Sequence, residues 1–142
     1  MRNVTKKLVN SYWELLNGSL SVPVYIESVP ESETGNYVLL RVEGETNVDE
    51  NAKTWIKEIV VILDIVTVFD NMIDTSVVDD IDAEIGVLLA ATPYSGHNLA
   101  AQTGMQINRV TDETSEYLQE DDGTYKYYRK ITRYNNLITV QN

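Results

Sequence analysis

The only histidine, His97, lies in the segment "TPYSGHNLAAQTG", two residues after Ser95. A Ser-His-Asp arrangement would have to use this imidazole as its base, with Ser95 or a distant serine as nucleophile. No nucleophile-elbow pattern accompanies it, and a loop histidine without a partner motif reads more simply as a surface or structural residue. A Walker-type phosphate loop, a dinucleotide-binding glycine fingerprint and a zinc-helix motif are all absent. There is no cysteine, which removes thiolate catalysis, disulfides and Cys-based zinc sites and is compatible with folding in the cytosol. Residues 70–74, "DNMID", begin like a calcium loop, but the sixth position is not glycine and the twelfth is not glutamate. In the cluster Asp79, Asp80, Asp82 and Glu84, the three aspartates could hold a divalent ion weakly. Their place at the start of a helix, where negative charge complements the helix dipole, explains them without one. No catalytic, cofactor-binding or metal-binding residue is assigned.

Basic and aromatic side chains interleave near the carboxy terminus, where Lys126, Arg129, Lys130 and Arg133 stand among Tyr125, Tyr127, Tyr128 and Tyr134. Such a mixture can bind nucleic acid, since rings stack on bases and cations meet phosphates. Against that use, 22 acidic and 11 basic residues leave a formal net charge of -11, which repels a phosphate backbone. Arginine and tyrosine also suit protein interfaces. A protein partner and an ordinary exposed strand both account for the segment.

The elements that must carry these residues follow from spacing. Val4, Leu8, Tyr12, Leu15 and Leu16 recur at helical intervals before Gly18, predicting a first helix over about residues 3–17. Val22, Val24 and Ile26, then Val38, Leu40 and Val42, alternate as strands do. With the polar "SVPESETGN" between them, they are expected to form a hairpin with a wide connection. Residues 43–54, "EGETNVDENAKT", read as a charged, solvated loop. "WIKEIVVILDIVTVF" is dense in β-branched residues and apolar on both faces around Ile59–Leu63, predicting a long central strand covered from both sides. Ser76 and Asp79 resemble a capping box ahead of the stripe Val78, Ile81, Ile85, Leu88 and Leu89, predicting a second helix over about 77–91. Two further strands flank "EDDGT", whose Asp122-Gly123 is a strong hairpin signal. The expected fold class is α+β, an antiparallel β-sheet with two α-helices packed on one face, in the order α-β-β-β-α-β-β.

At 142 residues, with 43% hydrophobic and 23% charged content, the chain suits one domain spanning 1–142, with no linker or internal repeat. The amino terminus lacks an unbroken apolar stretch, so no secretion signal is expected. The longest apolar run is too short to span a bilayer and holds Asp64 at its middle, so no membrane contact is expected.

An amino-terminal helix, "VPVYIESVPE" followed by "GNYVLLRVEG", a long β-rich segment, a helix and a closing "DDGTYKYYRKITRYNNLITV" together resemble the tail-terminator, or tail-completion, proteins of tailed bacteriophages and related head-to-tail connector rings. The likeness covers nearly the whole chain and rests on order and spacing. It implies a structural, non-enzymatic virion protein of the neck or tail region, folded in the host cytoplasm. Such a protein assembles as a homo-oligomeric ring of six or twelve subunits around the DNA path, between connector, portal-adjacent or tail proteins, with DNA only passing through.

On that reading the loop Glu31, Ser32, Glu33, Thr34, Gly35 and Asn36 is expected to contact an adjacent layer. Glu43, Glu45, Asp49 and Glu50 are candidates for the channel lining. Lys126, Arg129, Lys130 and Arg133 of one subunit are expected to meet Asp79, Asp80, Asp82 and Glu84 of the next, a match that sets register more than affinity. Two other readings stand beside it: a small acidic DNA mimic that inhibits a host factor, and an enzyme of unrecognised type using His97.

Overall fold

Helical spacing at one end of the chain and β-branched density at its centre give the elements in the computed structural model, which describes residues 4–50, 54–90, 97–100 and 102–141, with the backbone alone at 49, 50, 54 and 141. The order is α1 (Val4–Leu16), β1 (Val24–Ile26), β2 (Tyr37–Glu50), β3 (Thr54–Phe69), α2 (Ser76–Leu89), β4 (Met105–Asp121) and β5 (Lys126–Gln141). These elements realise the expected α+β order. The strands form one sheet in the spatial order β1-β2-β3-β5-β4. Four of them pair antiparallel along nearly their whole length.

Both helices lie on the same face. Tyr12 of α1 donates to Asn136 at 2.6 Å, and Lys130 donates to Asp82 of α2 at 2.7 Å. Asn136 and Lys130 are an even number of residues apart on β5 and so share a face. Between helices and sheet lies the main core, including Leu8, Tyr12, Leu40, Ile59, Leu63 and Ile85. Burial of Tyr12 pushes its phenol pKa well above the ordinary value. Asn136 also donates to the carbonyls of Ile59 and Tyr134, so this polar group inside the core is satisfied.

Three expectations need correction. Residues 21–44 do not form a hairpin: β1 runs parallel to β2, pairing Val24 with Val38 and Ile26 with Leu40. The sheet is therefore mixed. Because β1 has only three residues, the chain needs to travel back roughly 10 Å, which ten residues of irregular connection easily span. Glu27, in the left-handed region at φ 64°, starts that return. Residues 43–50 are not loop but the second half of β2, paired as far as Glu50 with Trp55. Register shifts at Val42/Gly44 and Asn47/Asp49 break the two-residue alternation there, and with it the strand signal. Ser76 is the first residue of α2 rather than its cap: Thr75 holds the cap position without a side-chain bond, and the preceding Asp74 carboxylate accepts from the Ser76 amide at 3.0 Å and hydroxyl at 2.6 Å.

The closing hairpin is as expected. Asp122 accepts from the amides of Thr124 and Tyr125, and Gly123 takes the φ of 90° that the turn requires. No helix among the described residues is long and apolar enough to cross a membrane.

Candidate functional site

Among the described residues the face of the sheet away from the helices has no helix over it, yet Ile62, Val66, Ile131 and Asp64 on it are buried. Ion pairs that cross strands provide the cover. Asp64, 1% exposed at the centre of β3, accepts from Arg129 on β5 at 2.5 and 3.2 Å and lies 3.7 Å from Arg41 on β2. Arg129 continues the row to Glu120 on β4. In a second row Arg133 on β5 bridges Glu43 on β2 at 2.6 Å and Glu116 on β4 at 3.2 Å. The alkyl stems of these arginines lie over the apolar residues while their charged ends reach carboxylates on other strands. Carboxylate hydrogen bonds, first that of Asp64, hold the Arg129 guanidinium still further above its ordinary pKa.

The edges of the sheet are unequal. At β1 the outward carbonyls are already used: Val24 accepts from the Trp13 indole at 3.3 Å and Ile26 accepts from the Ser28 amide at 2.7 Å. That edge is closed to strand addition. Among the described residues, however, β2 has no strand on its outer side beyond Leu40, and β4 has none beyond Ile107, before which Gln102 bridges Met105 and His97 takes the Ile107 carbonyl. Two open edges therefore lie on opposite sides of one sheet. Three antiparallel pairings separate β2 from β4, so the two strands run in opposite directions.

The residues singled out from sequence fall as follows. Lys130 reaches Asp82 at 2.7 Å and Asp79 at 3.8 Å, and Asp79 accepts from Tyr117 at 3.0 Å. Glu84 accepts from the Ser21 amide and hydroxyl, tying α2 to the segment after α1. Arg129, Lys130 and Arg133 are thus all paired within the chain, and the acidic cluster expected opposite them in a neighbour is partly used by the same chain. Asp80 is exposed and makes no such bond, and Lys126 forms no ion pair among the described residues. In the 31–36 connection Glu33 accepts from Tyr25 at 2.6 Å and Asn36 accepts from the Val68 amide at 2.8 Å; Glu31 and Ser32 before these anchors and Thr34 and Gly35 between them are exposed.

Glu43 and Glu45 lie on a strand rather than a loop. Glu45 accepts from Thr5 at the start of α1 and from Lys57 at 3.4 Å. The Thr5 bond, with the Lys57 charge, holds its pKa below the usual carboxylate value. Asp49 and Glu50 are in β2 by backbone.

Sequence reasoning missed Arg41, Arg109, Glu113, Glu116 and Glu120 as a group, because nothing local reveals that their strands lie at or beside open edges. Asp64 inside an apolar run was the one local signal of a paired charge. His97 is engaged at both nitrogens: Nδ1 accepts from the Leu99 amide at 3.1 Å, so Nε2 carries the proton and donates to the Ile107 carbonyl at 2.9 Å. It borders an open cavity of about 240 Å³ with Leu89, Val110, Asp112 and Tyr134, and its bonds fasten residues 97–100 to β4. Ser95 lies outside the described residues. Among the described residues no three carboxylate or histidine groups converge as metal ligands. Neither a protein-family model nor any curated protein matches this chain.

Proposed function

We propose that this protein is a structural subunit of an oligomeric ring, acting at the head-to-tail neck of a tailed phage to join connector to tail or to cap the tail tube around the DNA channel. The observation that carries the reading is the pair of open edges, on opposite sides of one sheet and opposite in direction. An open edge offers unpaired amides and carbonyls to another strand. Laying β4 of one copy against β2 of the next continues the antiparallel alternation. Such a contact joins two different surfaces, and a head-to-tail contact of this kind closes into a ring when its rotation allows.

Acidic excess suits a wall past which DNA slides without being held. On the uncovered face Arg129 and Arg133 are each bridged to carboxylates, which leaves these two little free charge for phosphate. The exposed residues Glu31, Ser32, Thr34 and Gly35 form the candidate contact with an adjacent layer. This role requires no catalytic group.

Native mass spectrometry across a concentration series, with negative-stain imaging, tests the reading. A closed ring of six or twelve subunits with an open centre is the expected result. A strict monomer that competes with DNA for a host protein would replace it with the acidic-mimic reading.

A further inference from the structure

The described arginines divide by strand. Arg129 and Arg133, on the inner strand β5, each donate to two carboxylates. Arg41 and Arg109, one on each open-edge strand, donate no hydrogen bond among the described residues. Arg41 comes within 3.7 Å of Asp64, whose oxygens Arg129 already occupies, and its Nε is buried without an acceptor. The side chain is 37% exposed, so its terminal nitrogens, rather than the enclosed Nε, can meet a carboxylate from outside the chain.

Register supplies the position of that acceptor. Across the sheet Arg41 is level with Ile62, Arg133 and Thr114, and Thr46 is level with Glu58, Leu137 and Arg109. The irregularity of β2 at Val42/Gly44 also lies level with that of β4 at Asp112/Thr114. Along β2 a cation, Arg41, is therefore followed by carboxylates, Glu43 and Glu45. Along β4 the carboxylate Glu113 lies at the height of Arg41, and the cation Arg109 at the height of Thr46, while Glu45 is turned to the helix face by its bonds to Thr5 and Lys57. Glu113 is exposed, and its partner within the chain is the neutral Asn135 at 2.8 Å. Arg41 and Glu113 are complementary when copies stand at one height. A shift that sets Glu113 against Glu43 brings carboxylate to carboxylate, so this pair favours the level register.

The geometry points to a second copy of this chain as the occupant of the β2 edge, with Arg41 of one copy paired to Glu113 on β4 of the next; this rests on the ring reading above. Arg109 of that β4 then stands level with Thr46 of β2.

The experiment is a charge swap. Wild type, Arg41→Glu, Glu113→Arg and the double variant are compared by native mass spectrometry and sedimentation over a concentration series, with circular dichroism to confirm folding. Each single reversal is expected to raise the concentration needed for assembly about tenfold or more, and the double variant to return most of the way to wild type. Should Arg41→Glu fail to fold, Glu113→Arg, at an exposed edge position, carries the test with Arg41→Gln. A wild-type ring indifferent to both reversals, or a double variant no better than the worse single, overturns the junction while leaving the ring reading intact. A wild type that stays monomeric throughout overturns the ring reading, and the junction with it.

Discussion

Replacing Asp64 by asparagine keeps its shape and removes its charge. Asp64 is 1% exposed and receives two hydrogen bonds from Arg129, with Arg41 3.7 Å away. Removing one partner of a fully buried pair costs about 3–5 kcal/mol, because the other charge is left without compensation. Here both arginines retain a route to water, with side-chain exposures of 37% for Arg41 and 23% for Arg129, and Arg129 keeps Glu120. The expected loss is therefore about 2–3 kcal/mol. With a urea slope of about 2 kcal/mol per molar, the unfolding midpoint should fall by about 1 M.

Replacing the whole pair differs from breaking it. Asp64→Leu combined with Arg129→Met substitutes apolar contacts against Val66 and Ile131, and should recover most of what Asp64→Leu alone loses, since a buried pair is rarely better than well-packed hydrophobic residues. Equilibrium urea unfolding of the four proteins, in low and in 1 M salt, is the assay. A shielded pair should keep its effect in salt. An Asp64→Asn midpoint within about 0.3 M of wild type, or a double variant no more stable than Asp64→Leu, would refute the view that this ion pair holds the uncovered face together.

Other expectations follow from the same geometry. Asn136→Leu strands the buried Tyr12 hydroxyl and should cost about 2–3 kcal/mol in urea unfolding; adding Tyr12→Phe should return part of that loss. The depressed Glu45 pKa means that its stabilisation is fully present above the ordinary carboxylate value and is lost as pH falls through the lower folded value. Wild type should therefore lose stability on acidification below about pH 4.5 more steeply than Glu45→Gln, as followed by thermal melts at stepped pH. His97→Ala removes the tie between residues 97–100 and β4, so amide exchange at Leu99 should accelerate with a global cost of about 1 kcal/mol. Ring assembly should be unchanged by it; loss of assembly in a folded His97→Ala protein would contradict its purely local role.

Several features were legible without coordinates because their causes are local. Helical spacing from Val4 to Leu16 placed α1, and β-branched density around Ile59–Leu63 placed β3 at the centre of the sheet. The dipeptide Asp122-Gly123 set the last hairpin, since only a residue free to take positive φ completes that turn. The second half of β2 was missed because two bulges interrupt its alternation and its edge position leaves charged side chains in water, so composition imitates a loop.

By itself the sequence determined the number and nature of the main elements, the absence of cysteine chemistry and a surface hostile to phosphate. Those depend on residue types and on spacings within a single element. Tertiary structure alone decided that β1 runs parallel, that β5 inserts between β3 and β4, and hence which strands have open edges. It also decided that Lys130 pairs with Asp82 in its own chain and that Arg41 and Arg109 are left on opposite edges. Such facts depend on which distant segments become neighbours, and the free energy of that choice is spread over the whole core rather than written in any one segment.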